Sequence, residues 1–117
     1  MVRKQIPSSA EPNAAKLARE LLLRFDLFSE AVRSEALMVA FRPKIKTSPQ
    51  LLIIRFDDPG YCGTLGCATV VFKQIGDDWT PVIAENFDTL HIRTRGGGKA
   101  QLVTRDLHDT EEVFELD

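Results

Sequence analysis

Leu51-Leu52-Ile53-Ile54-Arg55-Phe56, Tyr61-Cys62-Gly63-Thr64-Leu65-Gly66-Cys67 and Thr69-Val70-Val71-Phe72-Lys73 follow one another in the middle of the chain. The first and third are apolar runs of strand length. The segment between them has the chemistry of a turn, with a glycine on the inner side of each cysteine. Glycine tolerates positive φ, so four intervening residues can reverse the chain and bring two sulfurs to bonding distance. Two strands joined by a cysteine-closed turn are therefore expected, and the rest of the chain is read outward from them.

Downstream, Gly76-Asp77-Asp78 is a hairpin turn and Trp79 to Ala84 a returning strand. Pro81 lacks a ladder donor, which places that strand at an edge or a bulge. Asn86-Phe87-Asp88 turns the chain again. Thr89-Leu90-His91-Ile92-Arg93-Thr94-Arg95 alternates at period two, with Leu90 and Ile92 toward the core. Gly96-Gly97-Gly98 reads as a flexible turn, Gln101 to Arg105 as a strand, and Val113 to Leu116 as a last short strand. Short strands with tight connections favour an antiparallel meander over a parallel sheet, which needs long crossovers.

Upstream, Met1 to Ala10 shows little periodicity and reads as a flexible arm, with a single domain from Glu11 to Asp117. Pro12 suits a first helical turn, and Ala14, Leu17, Ala18, Leu21, Phe25 and Phe28 recur at helical spacing, predicting a helix from Pro12 to about Phe25. A shorter helix through Ala31 and Val32 follows, capped by Asp26 or Ser29. Leu37 to Phe41 fits a strand or a helix end, because Pro43 stops a helix there. Thr47-Ser48-Pro49-Gln50 is turn chemistry. The expected class is α+β: one or two N-terminal helices on an antiparallel meander sheet of about five or six strands.

The chain has 117 residues, 44% hydrophobic and 27% charged, with a net charge of −2. That size suits one folding unit, and the composition argues against disorder. The charge gives no overall field for nucleic acid or anionic lipid. No run approaches the ~18 apolar residues of a membrane span, and Met1 to Ala10 lacks the apolar h-region of a secretory signal.

Cys62 and Cys67 read first as a structural disulfide, second as a reactive or regulatory thiol pair, third as metal ligands. Four residues separate them, not the two of a thioredoxin-like redox motif. A metal site would need His91 and His108, which lack zinc-finger spacing, and no cofactor is assigned. Gly96-Gly97-Gly98-Lys99 departs from the phosphate-loop pattern. Asp57-Asp58 and Asp77-Asp78 adjoin turn residues and read as turn formers. No nucleophile, base and oxyanion donor can be assembled, so an enzyme is not expected. A pocket between helix and sheet, lined by Leu21, Phe25 and Phe72, stays open.

The candidate partner surface is a basic stripe of His91, Arg93, Arg95, Lys99 and Arg105, suited to an acidic protein partner. Against it stands the acidic tail from Asp106 to Asp117, which can fold back and neutralise the stripe. Exposed aromatics for base stacking are not evident, which disfavours nucleic acid. Self-association through an edge near Pro81 or the acidic C-terminal strand is open.

The segment Tyr61 to Phe72, followed by Asp77-Asp78-Trp79, resembles small, poorly characterised exported proteins of bacteria. They share a Cys-Gly-x-x-Gly-Cys turn leading into a hydrophobic strand and a tryptophan-containing hairpin. The resemblance spans about Leu51 to Arg105. It implies a periplasmic or secreted protein with a Cys62–Cys67 disulfide and transfers no catalytic residue. These readings converge on a non-enzymatic binding or interaction domain, with an inhibitor or immunity-type protein as one concrete form. The alternative is a cytosolic redox-sensitive thiol protein using Cys62 and Cys67.

Overall fold

The computed structural model describes residues 2–4, 12–43, 50–94 and 100–116. Among them the elements run β1 (Val2–Lys4), α1 (Pro12–Arg24), α2 (Ser29–Arg33), β2 (Met38–Phe41), β3 (Gln50–Phe56), a 3-10 turn (Pro59–Tyr61), β4 (Cys62–Gly63), β5 (Gly66–Ile75), β6 (Asp78–Phe87), β7 (Thr89–Thr94), β8 (Ala100–Arg105) and β9 (Glu111–Glu115). The class is α+β, with every strand pairing antiparallel.

The strands divide between two sheets. In the first, β2, β3 and β5 are successive neighbours, β6 lies on the far side of β5, and β4 continues the β3 side. The second runs β1-β7-β8-β9. The first sheet is the middle of three layers, which explains the unbroken apolar run in β3. Leu52, Ile54 and Phe56 pack with Ala14, Ala18, Leu21 and Leu22 of α1, while Leu51 and Ile53 pack with Leu90, Ile92 and Leu102 of the second sheet. A strand buried on both faces carries apolar residues at successive positions instead of alternating. Ala14 and Ala18 let α1 approach the sheet closely. Fully burying a side chain such as Leu52 or Phe72 contributes about 1.5–3 kcal/mol.

Several expectations change in detail. Part of the N-terminal arm is a strand: Val2, Arg3 and Lys4 pair with Ile92, His91 and Leu90, because the outer edge of β7 offers unpaired backbone groups. Asn86-Phe87-Asp88 is not a separate turn: β6 runs to Phe87 and β7 starts at Thr89, so Asp88 alone passes the chain from one sheet to the other. Its N–H donates to the Arg105 carbonyl at 2.9 Å. Neither Asp26 nor Ser29 caps α2. Phe28 occupies the N-cap position in the left-handed region, φ 53°, without a side-chain cap, and Asp26 instead accepts a 2.7 Å hydrogen bond from the Ser29 hydroxyl. Phe28 is held there by Phe56 and Tyr61, with ring centroids 5.5 and 6.4 Å away.

Pro81 lies on an edge strand and at a bulge. β6 pairs Val71 with Ile83 but Phe72 with Pro81, leaving Val82 as the extra residue. Phe72, Trp79 and Phe87 are core residues. The pocket expected around Leu21, Phe25 and Phe72 is filled: Leu21 and Phe72 are fully buried, and the Phe25 ring tilts over Phe72 at 5.7 Å. A cleft of about 320 Å³ lies elsewhere, beside α2, lined by residues including Val32, Leu37, Met38 and Phe56. No helix among the described residues is long and apolar enough to cross a membrane. The turns expected at Thr47-Ser48-Pro49 and Gly96-Gly97-Gly98 fall outside the described residues.

Candidate functional site

Where β3 ends, Asp58 sets the direction of the chain. One of its carboxylate oxygens accepts from the Gly60 N–H at 3.1 Å and the other from the Leu37 N–H at 3.3 Å. This is the local hydrogen bonding that turn aspartates supply. The 3-10 turn closes with the Tyr61 N–H on the Asp58 carbonyl at 2.8 Å and delivers Cys62 into β4. Cys62 lies directly across the ladder from Cys67, with Gly63 opposite Gly66, and the two sulfurs are bonded. Thr64 and Leu65 form the exposed tip.

Gly66 fits this corner because only glycine can. Its φ is +128°, and a Cβ would run into the Phe87 carbonyl and come within 2.7 Å of the Asp88 nitrogen. That close approach fastens the hairpin base to the end of β6, where the Asn86 side chain donates to the Gly66 carbonyl at 3.1 Å.

The β8–β9 turn is fixed separately. The Asp106 carboxylate accepts from the His108 N–H at 2.8 Å and the Thr110 N–H at 3.0 Å. Asp109 holds the left-handed conformation that completes the turn, φ 62°. The Leu107 N–H then donates to the Leu65 carbonyl at 3.1 Å, joining this turn to the hairpin tip. Leu65 and Leu107 nonetheless keep 41% and 56% of their surface exposed. Burial of either side chain is therefore left for something else to supply.

Arg55, from inside the apolar run of β3, reaches the same end. Its Nε donates to Asp57 Oδ1 at 3.2 Å and its Nη1 to the Asp88 carbonyl at 3.2 Å. Its Nη2 lies 3.5 Å from Cys67 Sγ. The side chain is only 20% exposed.

Of the basic stripe, the described residues His91, Arg93 and Arg105 lie on β7 and β8, and both arginines meet neighbouring side chains. Arg93 donates through Nε and Nη2 to Gln101 Oε1, at 3.1 and 2.9 Å, and the Gln101 amide passes on to Glu115. Arg105 pairs with Glu111 at 2.9 Å. Both belong to rows of residues running across β7, β8 and β9, so the acidic C-terminal strand lies against them. His91 is half-buried on β7, opposite Val103. Arg95 and Lys99 lie outside the described residues. His108 is exposed in the β8–β9 turn, apart from His91's strand.

The Asp57 carboxylate and the sulfurs of Cys62 and Cys67 come within 4.8 Å of one another. With the sulfurs bonded together there is no thiolate, and Asp57 is already paired with Arg55, so the oxidised form offers a metal no thiolate ligand. Asp57-Asp58 and Asp77-Asp78 keep their structural duties: Gly76 at φ 62° and Asp77 form the loop between Ile75 and Asp78.

One carboxyl is perturbed. Glu85, on β6, is pushed above its ordinary value of 4.5, first by burial and then by the negative charge of Glu112 on β9. The two belong to edge strands of the two sheets.

Sequence reasoning found the cysteines but missed Arg55, Leu65 and Leu107. The one signal for Arg55 was a lone cation in an otherwise apolar strand. Leu65 stood out only as an apolar residue at the tip of a turn. Compared with known proteins, the chain matches no family model, no curated protein and no solved structure.

Proposed function

We propose that this chain is a small non-enzymatic interaction domain that binds another protein through its disulfide-closed end. The observation that carries the reading is the Leu107 N–H to Leu65 carbonyl hydrogen bond, which fastens together two loops that each leave a leucine exposed. A preordered apolar patch loses little conformational entropy on binding, which is how rigid inhibitor-type loops achieve affinity. Asp106 and Asp109 flank Leu107 in the same turn, so the complementary partner presents an apolar pocket with a basic rim. We favour it over the acidic partner suggested by the basic stripe, because Arg93 donates to Gln101 and Arg105 pairs with Glu111.

The disulfide supports work in an oxidising compartment, the periplasm or the outside of the cell. The resemblance of Tyr61 to Phe72 to exported bacterial proteins points the same way. An inhibitor or immunity-type protein is the concrete form we favour.

A photo-crosslinking residue placed at Leu65, in protein expressed in its source cells, tests the reading. Ile75 is the control: it is 59% exposed and lies at the other end of β5. A discrete adduct with one protein from position 65 and none from position 75 is expected. Identical adduct patterns from both positions, or no adduct from position 65, would contradict it.

A further inference from the structure

We propose that the Cys62–Cys67 disulfide is a thiol–disulfide exchange site with a built-in direction: an incoming thiolate attacks Cys62, and Cys67 departs as a thiolate beside Arg55. The substrate class is a low-molecular-weight thiol or a protein dithiol. The proposal stands apart from the protein-binding reading, since it rests on the surroundings of the two sulfurs alone.

The two sulfurs are not equivalent. Cys62, on the short strand β4, is more open to solvent than Cys67, which is only 8% exposed on β5. A nucleophile from solvent therefore meets Cys62 first. The Arg55 guanidinium lies 3.5 Å from Cys67 Sγ, held by Asp57 on one side and the Asp88 carbonyl on the other. An arginine serves a disulfide sulfur little, because that sulfur carries no charge. It serves a thiolate well, and a better-stabilised leaving thiolate departs faster. Asp57 acts in the opposite sense, since its carboxylate lies within 4.8 Å of both sulfurs and repels an approaching anion.

The chemistry balances as follows. The thiolate RS⁻ forms a bond to Cys62 Sγ as the Cys62–Cys67 bond breaks, and the electron pair leaves on Cys67. The product is a mixed disulfide at Cys62 and a thiolate at Cys67. A second thiolate attacks the R sulfur of that mixed disulfide and releases the Cys62 thiolate. In total, two RSH are oxidised to RSSR, the protein disulfide gains two electrons, and the two protons end on the cysteines or in solvent.

Oxidised wild-type protein and Arg55→Gln are each mixed with excess reduced glutathione, quenched with an alkylating agent and followed by mass and peptide mapping. Glutathione is expected on Cys62. Arg55→Gln should slow the reaction several-fold, because a leaving thiolate without the guanidinium beside it departs more slowly. Loosening of the fold would speed reduction in this variant, so a slower Arg55→Gln cannot come from damage to the structure. The proposal is overturned by glutathione on Cys67 or by an Arg55→Gln rate at or above wild type.

Discussion

The backbone N–H of Leu107 donates to the carbonyl oxygen of Leu65 at 3.1 Å, so a turn between two strands of one sheet is tied to the tip of a hairpin in the other. Each loop also has its own lock, the Cys62–Cys67 bond in one and the Asp106 carboxylate in the other. The consequence is a fixed end of the molecule that carries the exposed apolar side chains of Leu65 and Leu107.

The disulfide closes a very short loop, so it orders that end more than it stabilises the fold. Replacing both cysteines by serine should cost about 2 kcal/mol in the free energy of unfolding. Urea denaturation checks this. A loss of the whole fold would show that the bond carries more than the hairpin.

Gly66 has no tolerant substitute. Gly66→Ala forces a Cβ into the backbone at Phe87 and Asp88, at a φ that L residues avoid. The expected loss is about 2–4 kcal/mol, read as a lower denaturation midpoint. Gly63→Ala, where nothing lies within 4 Å of a built Cβ, is the matched control and should cost far less.

Phe72 and Phe25 touch but differ in burial, since Phe72 is fully buried and Phe25 is 39% exposed. Phe72→Ala should destabilise by about 3–5 kcal/mol and Phe25→Ala by about 1 kcal/mol. Equal losses in thermal or urea unfolding would contradict the placement of α1 on the sheet.

Glu85 gives the fold a pH dependence of defined sign. Its folded-state pKa is raised by burial and then by Glu112, so the folded state holds its proton more tightly than the unfolded chain. That contribution is fully present below the ordinary carboxylate value of 4.5 and is lost as pH rises through the folded-state value. At neutral pH the ionised group is a small cost. Glu85→Gln should therefore stabilise at pH 7 by up to ~0.5 kcal/mol, because solvent screens a partly exposed group, and should flatten the decline between pH 4.5 and 7. Unfolding curves for the two proteins across that range provide the check.

The helices and the central strands were legible because each leaves a local signature. Ala14, Ala18 and Leu21 repeat at helical spacing, and Leu51 to Ile54 form an apolar run. The division into two sheets was not legible, since alternation in β7 says which residues face inward but not which sheet they face. β1 was hidden for another reason: three residues carry no periodicity, and the strand exists because the edge of β7 receives it. At the candidate site the cysteine pair announced itself through its flanking glycines. The Leu65–Leu107 contact did not, because it joins residues far apart in sequence through backbone atoms that no side-chain pattern encodes. That the acidic tail can fold back on the basic stripe was legible from its charge, but not that Glu111 would meet Arg105 and Glu115 the Gln101 amide, which only the β8–β9 register sets.

Native-state hydrogen exchange of the Leu107 amide, with the Cys62–Cys67 bond intact and then reduced, tests most directly whether the two leucine loops form one fixed surface. The account predicts strong protection in the oxidised protein and a large loss of it on reduction, with β3 and β5 amides staying protected. A Leu107 amide that exchanges at the rate of a free loop while the disulfide is intact would contradict it.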